Sequence, residues 1–183
     1  MNRLEVRLSG FGGQGIIRSG EIIGKAAAIY DRRHATFTQS YGPESRGGAC
    51  AAQVAIADDP VELSYPHVID PSILVILSQG GYNKYVPGFR RDGLLIVDED
   101  LVELDEQAEG LRILKIPATR LAEGLGRRIV ANVVMLGFVA VVTDIAKPES
   151  IKQAVLDSVP KGTEELNQRA FETGFQYAQE LMA

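Results

Sequence analysis

The sequence predicts an α/β fold: a mostly parallel sheet with helices on both faces, closed by a helical C-terminal tail. Three observations predict it. Leu4, Val6 and Leu8 alternate with Glu5 and Arg7, the period-2 pattern of a strand. The short runs Ile73 to Leu77 and Leu94 to Val97 are wholly apolar, as in strands buried on both faces. Beyond Pro148 the apolar residues recur at helical spacing.

The elements follow in order. After the first strand comes the glycine-rich stretch Gly10 to Gly15, and then Ile16, Ile17, Ile22, Ile23, Ala26, Ala27 and Tyr30, spaced for a helix. His34 to Tyr41 and Ala49 to Ala57 read as strands, separated by Gly42-Pro43 and Gly47-Gly48. The two apolar strands come next, with a short helix expected around Tyr82 to Phe89. Arg112 to Ile116 alternates again, and Pro117 opens a segment expected to be helical to about Gly124. Ile129 to Val142 is rich in β-branched residues, yet its length favours a buried helix. Pro148 starts another helix, and Thr163 is expected to cap the last.

Composition narrows the function. A chain of 183 residues that is 45% hydrophobic and 23% charged suits one globular domain, residues 1–183. Charged Glu5 and Arg7 interrupt the first apolar run, and Ile129 to Val142 is shorter than the roughly 18 to 20 residues of a membrane span, so a cytoplasmic protein without membrane association is expected. The net charge of −5 argues against nucleic acid, whose binding needs a clustered basic surface. The single Cys50 excludes an internal disulfide and any iron–sulfur or zinc site needing several thiolates from this chain, and neither His34 nor His67 has metal-ligand spacing. No metal ligand and no catalytic residue is therefore assigned here.

Gly10-Phe11-Gly12-Gly13-Gln14-Gly15 fits the G-x-G-x-x-G pattern that brings a backbone close to an anion at a helix N-terminus, a Rossmann-like arrangement. Dinucleotide binding also requires an acidic residue near the end of the second strand. Here Asp31 precedes that strand, which ends in Thr38-Gln39-Ser40. The bland alternative is a tight strand-to-helix turn, and the loop alone names no function. The second polar stretch, Ser40-Tyr41-Gly42-Pro43-Glu44-Ser45-Arg46-Gly47-Gly48, is punctuated by glycine and proline, so it should be a defined loop. Arg46 is suited to a forked contact with phosphate or carboxylate, and Glu44 to pairing with it; an ordinary wide turn with an internal ion pair is the alternative. Ser78-Gln79-Gly80-Gly81 and Asp98-Glu99-Asp100 follow apolar strands and read as helix caps. Cys50 reads as a buried, inert thiol, and His34 as structural.

With GFGGQG after the first strand and SYGPESRGG about 25 residues later, the chain resembles the gamma subunits of 2-oxoacid:ferredoxin oxidoreductases, in the form of the 2-oxoglutarate branch. The likeness extends over nearly the whole length, including Asn132 to Gly137 and the helical tail. It implies an assembly whose alpha and beta subunits bind thiamine diphosphate with Mg2+, whose [4Fe-4S] clusters lie on partners including a ferredoxin-like delta subunit, and which uses coenzyme A as co-substrate and ferredoxin as acceptor. No cofactor is then bound by this chain alone. The isolated chain is expected to self-associate as a dimer. On this reading the amides of Gly12, Gly13, Gln14 and Gly15 face coenzyme A or another anion. Tyr41, Gly42, Pro43, Glu44, Ser45, Arg46, Gly47 and Gly48 lie at the active-site edge or a subunit interface. The rival reading is a stand-alone nucleotide- or phosphate-binding module.

Overall fold

The computed structural model describes residues 3–42 and 48–183. A six-stranded sheet in the order β2-β3-β1-β4-β5-β6 organises them. The strands are β1 (Leu4–Phe11), β2 (His34–Tyr41), β3 (Ala49–Ala57), β4 (Ile73–Ile76), β5 (Leu94–Asp98) and β6 (Arg112–Ile116). β1, β4, β5 and β6 are mutually parallel, while β3 runs antiparallel to both β1 and β2. Only β3 is reversed, so β1 and β2 deliver their C-terminal ends to the same edge of the sheet. The β-branched and apolar composition of β4 and β5 places every one of their residues out of solvent, as expected for strands covered twice.

The helices are α1 (Ile16–Lys25), α2 (Gln79–Tyr85), α3 (Ala118–Gly124), α4 (Ala131–Val142), α5 (Pro148–Leu156) and α6 (Glu164–Met182). Five of them cover one face, where Ile22 and Ile23, Val134 and Phe138, Ile151 and Phe171 pack on Val6, Leu8, Val54 and Ile96. On the other face α2 brings Tyr82 and Val86 onto Leu74, Ile76, Leu95 and Val97. Further along that second face, the chain between β3 and β4 is tied to β1 by Arg3 and Arg7. Arg3 donates to the carbonyls of Glu62, Tyr65 and His67, and Arg7 to that of Val68.

Several expectations shift by a turn for identifiable reasons. α2 begins at Gln79 rather than near Tyr82, because the Ser78 hydroxyl accepts from Gly81 N at 3.1 Å and caps a helix that starts through two glycines. α1 does not continue regularly to Tyr30 but passes into a π-helical turn over Ala26–Tyr30. Thr163 does occupy the N-cap position of α6, but its hydroxyl makes no capping bond to the helix amides and donates back to Pro160 O, while Glu164 accepts from Gly162 N. Asp31, considered above as a ribose ligand, caps α5 instead, accepting from Lys147 N at 2.8 Å and Ser150 Oγ at 2.5 Å.

The α4–α6 crossing depends on two residues without side chains. A Cβ at Gly137 would lie 2.0 Å from Phe171 O, and one at Gly174 would lie 1.8 Å from Val134 O. The two backbones therefore touch, and α4 is buried from Asn132 to Ala140. This explains why a helix so rich in valine is stable: packing outweighs its modest helix propensity. Gly137→Ala should lower unfolding free energy by about 1 to 3 kcal/mol or more, although alanine is intrinsically the better helix former by about 1 kcal/mol. Urea denaturation reads the sign directly, and a stabilised variant would contradict the contact.

Candidate functional site at the glycine loop

The end of β1 is held in place from both sides by one side chain. Gln14 Oε1 accepts from Phe11 N at 2.6 Å, and its Nε2 donates to Leu77 O, at the end of β4, at 2.8 Å. The side chain thus ties two adjacent parallel strands at the point where the chain turns into α1. Gly15 adopts φ 73°, and a Cβ there would meet Asn132 Nδ2 at 2.5 Å, so geometry and space both demand glycine. Asn132 in turn donates towards Gly15 O and Ser19 Oγ at 3.5 and 3.4 Å, bringing the start of α4 behind the loop.

The loop's backbone donors divide into two sets. Gly12 N donates to Gly48 O at 3.0 Å and Gln14 N to Phe11 O at 3.1 Å. Of the four amides expected to face an anion, those of Gly12 and Gln14 instead close the turn and join it to the second loop, while those of Gly13 and Gly15 have no partner among the described residues. No side chain caps α1 at Gly15. A helix start with uncapped amides carries a partial positive charge and favours an anionic neighbour.

The Gly12–Gly48 bond also shows that the two sequence motifs meet. Tyr41 is 67% exposed beside them, and Gly42 N donates to Ala49 O. Pro43, Glu44, Ser45, Arg46 and Gly47 lie outside the described residues. Ser78 and Asp98 end their strands at the same edge and serve as caps: Asp98 accepts from Thr119 N and Oγ1 at 2.9 and 2.6 Å and from Asp100 N at 3.1 Å. Cys50 is buried, which pushes its thiol pKa up and leaves it a poor nucleophile. His34, at the start of β2, sits at the opposite edge.

Three basic residues near the loop were missed by the motif search. Arg128 shares a cavity of about 270 Å3 with Gly13, Gln14, Leu77 and Thr119, with Ile129 at its rim. Arg18 and Arg127 stand on the other side of Ile129, in a neighbouring cavity that also reaches Gly13 and Gly15. The pair Arg127-Arg128 was visible in the sequence, but only the fold carries it next to residue 13. Among the described residues, no three His, Cys, Asp or Glu side chains gather as a metal cluster, and no helix is long and apolar enough to cross a membrane.

The site defines a class: an α/β domain whose strand ends gather a glycine loop and arginines at one edge, with no nucleophile–base pair among the described residues. The comparisons agree with that class and are more specific. The chain belongs to the pyruvate ferredoxin/flavodoxin oxidoreductase family, whose profile matches residues 5–177. It is 53% identical over 181 residues to the 2-oxoglutarate synthase subunit KorC of Methanocaldococcus jannaschii, covering 98% of this chain and 96% of that one. The KorC subunit of Methanothermobacter thermautotrophicus is 46% identical over 94% of this chain and 93% of its own. The crystal structure of a keto/oxoacid ferredoxin oxidoreductase gamma subunit from Geobacter sulfurreducens superposes with a TM-score of 0.84 at 38% identity, covering 97% of this chain and 99% of that one. The fold is also shared with 32% of a chain of the 2-oxoglutarate:ferredoxin oxidoreductase of Magnetococcus marinus, solved with 2-oxoglutarate, coenzyme A and succinyl-CoA, at TM-score 0.87 and 22% identity over 98% of this chain.

Two variants probe the construction of the site. Gln14→Glu keeps the bond from Phe11 N but sets a carboxylate against Leu77 O, and should cost about 1 to 3 kcal/mol in urea unfolding. Burial raises the Asp98 pKa, against the opposing hydrogen bonds from Thr119 and Asp100. A raised carboxylate pKa contributes stability that is complete below about pH 4, the ordinary aspartate value, and is lost as pH rises through the folded value. The stability of the wild type relative to Asp98→Asn should therefore fall as pH rises above about 4; a rise would contradict the burial argument.

Proposed function

We propose that this chain is the gamma subunit of a 2-oxoglutarate:ferredoxin oxidoreductase, and that its glycine-loop edge receives the anionic part of coenzyme A. The observation that carries the first statement is identity over nearly the full length of both chains to 2-oxoglutarate synthase KorC subunits. The complex converts 2-oxoacid and coenzyme A to acyl-coenzyme A and carbon dioxide, and two electrons pass to ferredoxin.

Its thiamine diphosphate, Mg2+ and [4Fe-4S] clusters belong to partners on this reading, namely the alpha, beta and delta subunits. One buried cysteine cannot ligate a cluster. The carbanion and electron-transfer chemistry comes from those groups. What this chain contributes is binding and position. The amides of Gly13 and Gly15, at the positive end of α1, and the guanidinium of Arg128 suit phosphate oxygens. Arg46, on the loop that Gly48 joins to Gly12, is the further charged contact we assign to coenzyme A or to a partner. The near-full-length match to a subunit weighs against a stand-alone module. The complex works in the cytoplasm, where ferredoxin is reduced, and the isolated chain self-associates through the apolar surface it otherwise buries against partners.

An anaerobic pull-down of the tagged chain from its native cells should recover partner subunits, thiamine diphosphate, iron and a viologen reduction that depends on both 2-oxoglutarate and coenzyme A. A lone chain without them would overturn the assignment. In the complex, Arg128→Ala and Arg46→Ala should each raise KM for coenzyme A about tenfold, the equivalent of one lost charge-assisted hydrogen bond. KM for 2-oxoglutarate and subunit stoichiometry should stay constant. Unchanged KM for coenzyme A would remove these residues from the site.

A further inference from the structure

A second cavity, of about 530 Å3, lies behind Ile129, between α1, the start of α4 and the connection from α5 to α6. Its floor and walls are apolar, built from Ile22, Val133, Val159 and Leu166. Ile22 and Val133 are already buried, whereas Val159 and Leu166 are only half-covered. Exposed Ile129, with 72% of its surface accessible, forms the wall shared with the cavity of Arg128.

Charge is distributed unevenly around this groove. The chain carries 24 acidic residues against 19 basic ones, yet the groove is lined by Arg18 and Arg127 and by no carboxylate. Nearby Glu164 is turned to its own loop, accepting from Gly162 N at 2.7 Å. Arg18 shares one nitrogen with Glu21 in an exposed pair, and Arg127 forms no ion pair with a described residue. An occupant with a carboxylate therefore meets Arg127, unpaired among the described residues, and Arg18, whose exposed pair with Glu21 it can exchange.

Hydrogen bonding adds a second constraint. Asn132 and Asn167, 8% and 6% exposed, both line the groove. Asn167 donates Nδ2 to Thr163 O and Oγ1, and Asn132 donates Nδ2 towards Gly15 and Ser19. Neither carboxamide oxygen accepts from a described residue. An extended peptide can engage both oxygens, offering backbone N–H donors at regular intervals together with apolar side chains. A small inorganic anion would satisfy the arginines and leave the apolar walls wet.

We infer that this groove seats a segment of a partner subunit bearing apolar side chains and at least one carboxylate. The inference rests on the subunit reading above, because it assigns the groove to a permanent interface. It places that segment behind the wall formed by Ile129, so assembly and the arginine next to Gly13 share one boundary. The docked segment would hold the Arg127–Ile129 stretch in place and thereby fix Arg128 in the first cavity.

The test uses the intact complex. Pro160→Cys, on the exposed lip of the groove, is labelled with a benzophenone maleimide, photolysed in the complex and digested for mass spectrometry, with the wild type and its buried Cys50 as control. The expected product joins residue 160 to a partner-subunit peptide containing apolar residues and Asp or Glu. In parallel, Arg127→Glu combined with Leu166→Asp should reduce recovery of partner subunits at least about tenfold, with the melting temperature of the isolated chain within a few degrees of wild type. Crosslinks confined to this chain, or to a second copy of it, would overturn the inference, as would a charge-reversed complex that assembles normally. In those cases the wild-type complex still shows 2-oxoglutarate-dependent activity, whereas failure of the subunit assignment itself removes that activity from the wild-type eluate.

Discussion

The contact between Gly15 and Asn132 sets how α4 meets the glycine loop, and the arrangement of the site depends on it. Because residue 15 has no side chain, α4 approaches the loop until Asn132 occupies the space a Cβ would take. The same helix is drawn against α6 by Gly137 and Gly174, where backbone meets backbone. α4 is therefore fixed at two points, behind the loop and across the helical layer, and Arg127 to Ile129 enter it from the side that borders the loop. Loosening either end would move the arginines relative to Gly13, although no arginine takes part in the packing.

This construction separates rigidity from chemistry. Gln14 spends both ends of its carboxamide on Phe11 and Leu77, and Asp98 and Ser78 spend theirs on helix starts. What the described residues leave at the edge is a pair of glycine amides without a described partner and three arginines, of which Arg18 and Arg128 share exposed ion pairs with Glu21 and Glu123; none of these groups moves a proton at neutral pH. Such an edge is suited to the proposed role of positioning a co-substrate, and the family match makes the chain one subunit of an oxidoreductase.

Much of this was legible in the sequence. The period-2 pattern of residues 4 to 8 and the apolar runs at 73 and 94 located their strands, because burial on one or both faces writes itself into local composition. The reversed β3 was not legible: His34–Tyr41 and Ala49–Ala57 read as strands, but direction depends on the loop between them and on which strand each pairs with. The helix over Ala131–Val142 required length to overrule β-propensity, and Gly174, some forty residues away, supplies the reason. The glycine loop was legible as a strand-to-helix turn, yet local pattern could not reveal that Gly12 and Gln14 consume their amides internally. Nor could it bring Arg127 and Arg128 to Gly13 across more than a hundred residues, since nothing in their own neighbourhood marks them.

The central claim is that the partner subunits need this edge to complete the reaction. The most direct measurement expresses the partners without this chain and follows 2-oxoglutarate- and coenzyme A-dependent viologen reduction as purified chain is added back. The account predicts low activity without it, recovery on addition of the wild type, and little recovery with Gly15→Ala, which strains a φ of 73° and sets a Cβ 2.5 Å from Asn132 Nδ2. Partners fully active in the absence of the chain, with a coenzyme A dependence it does not alter, would contradict it.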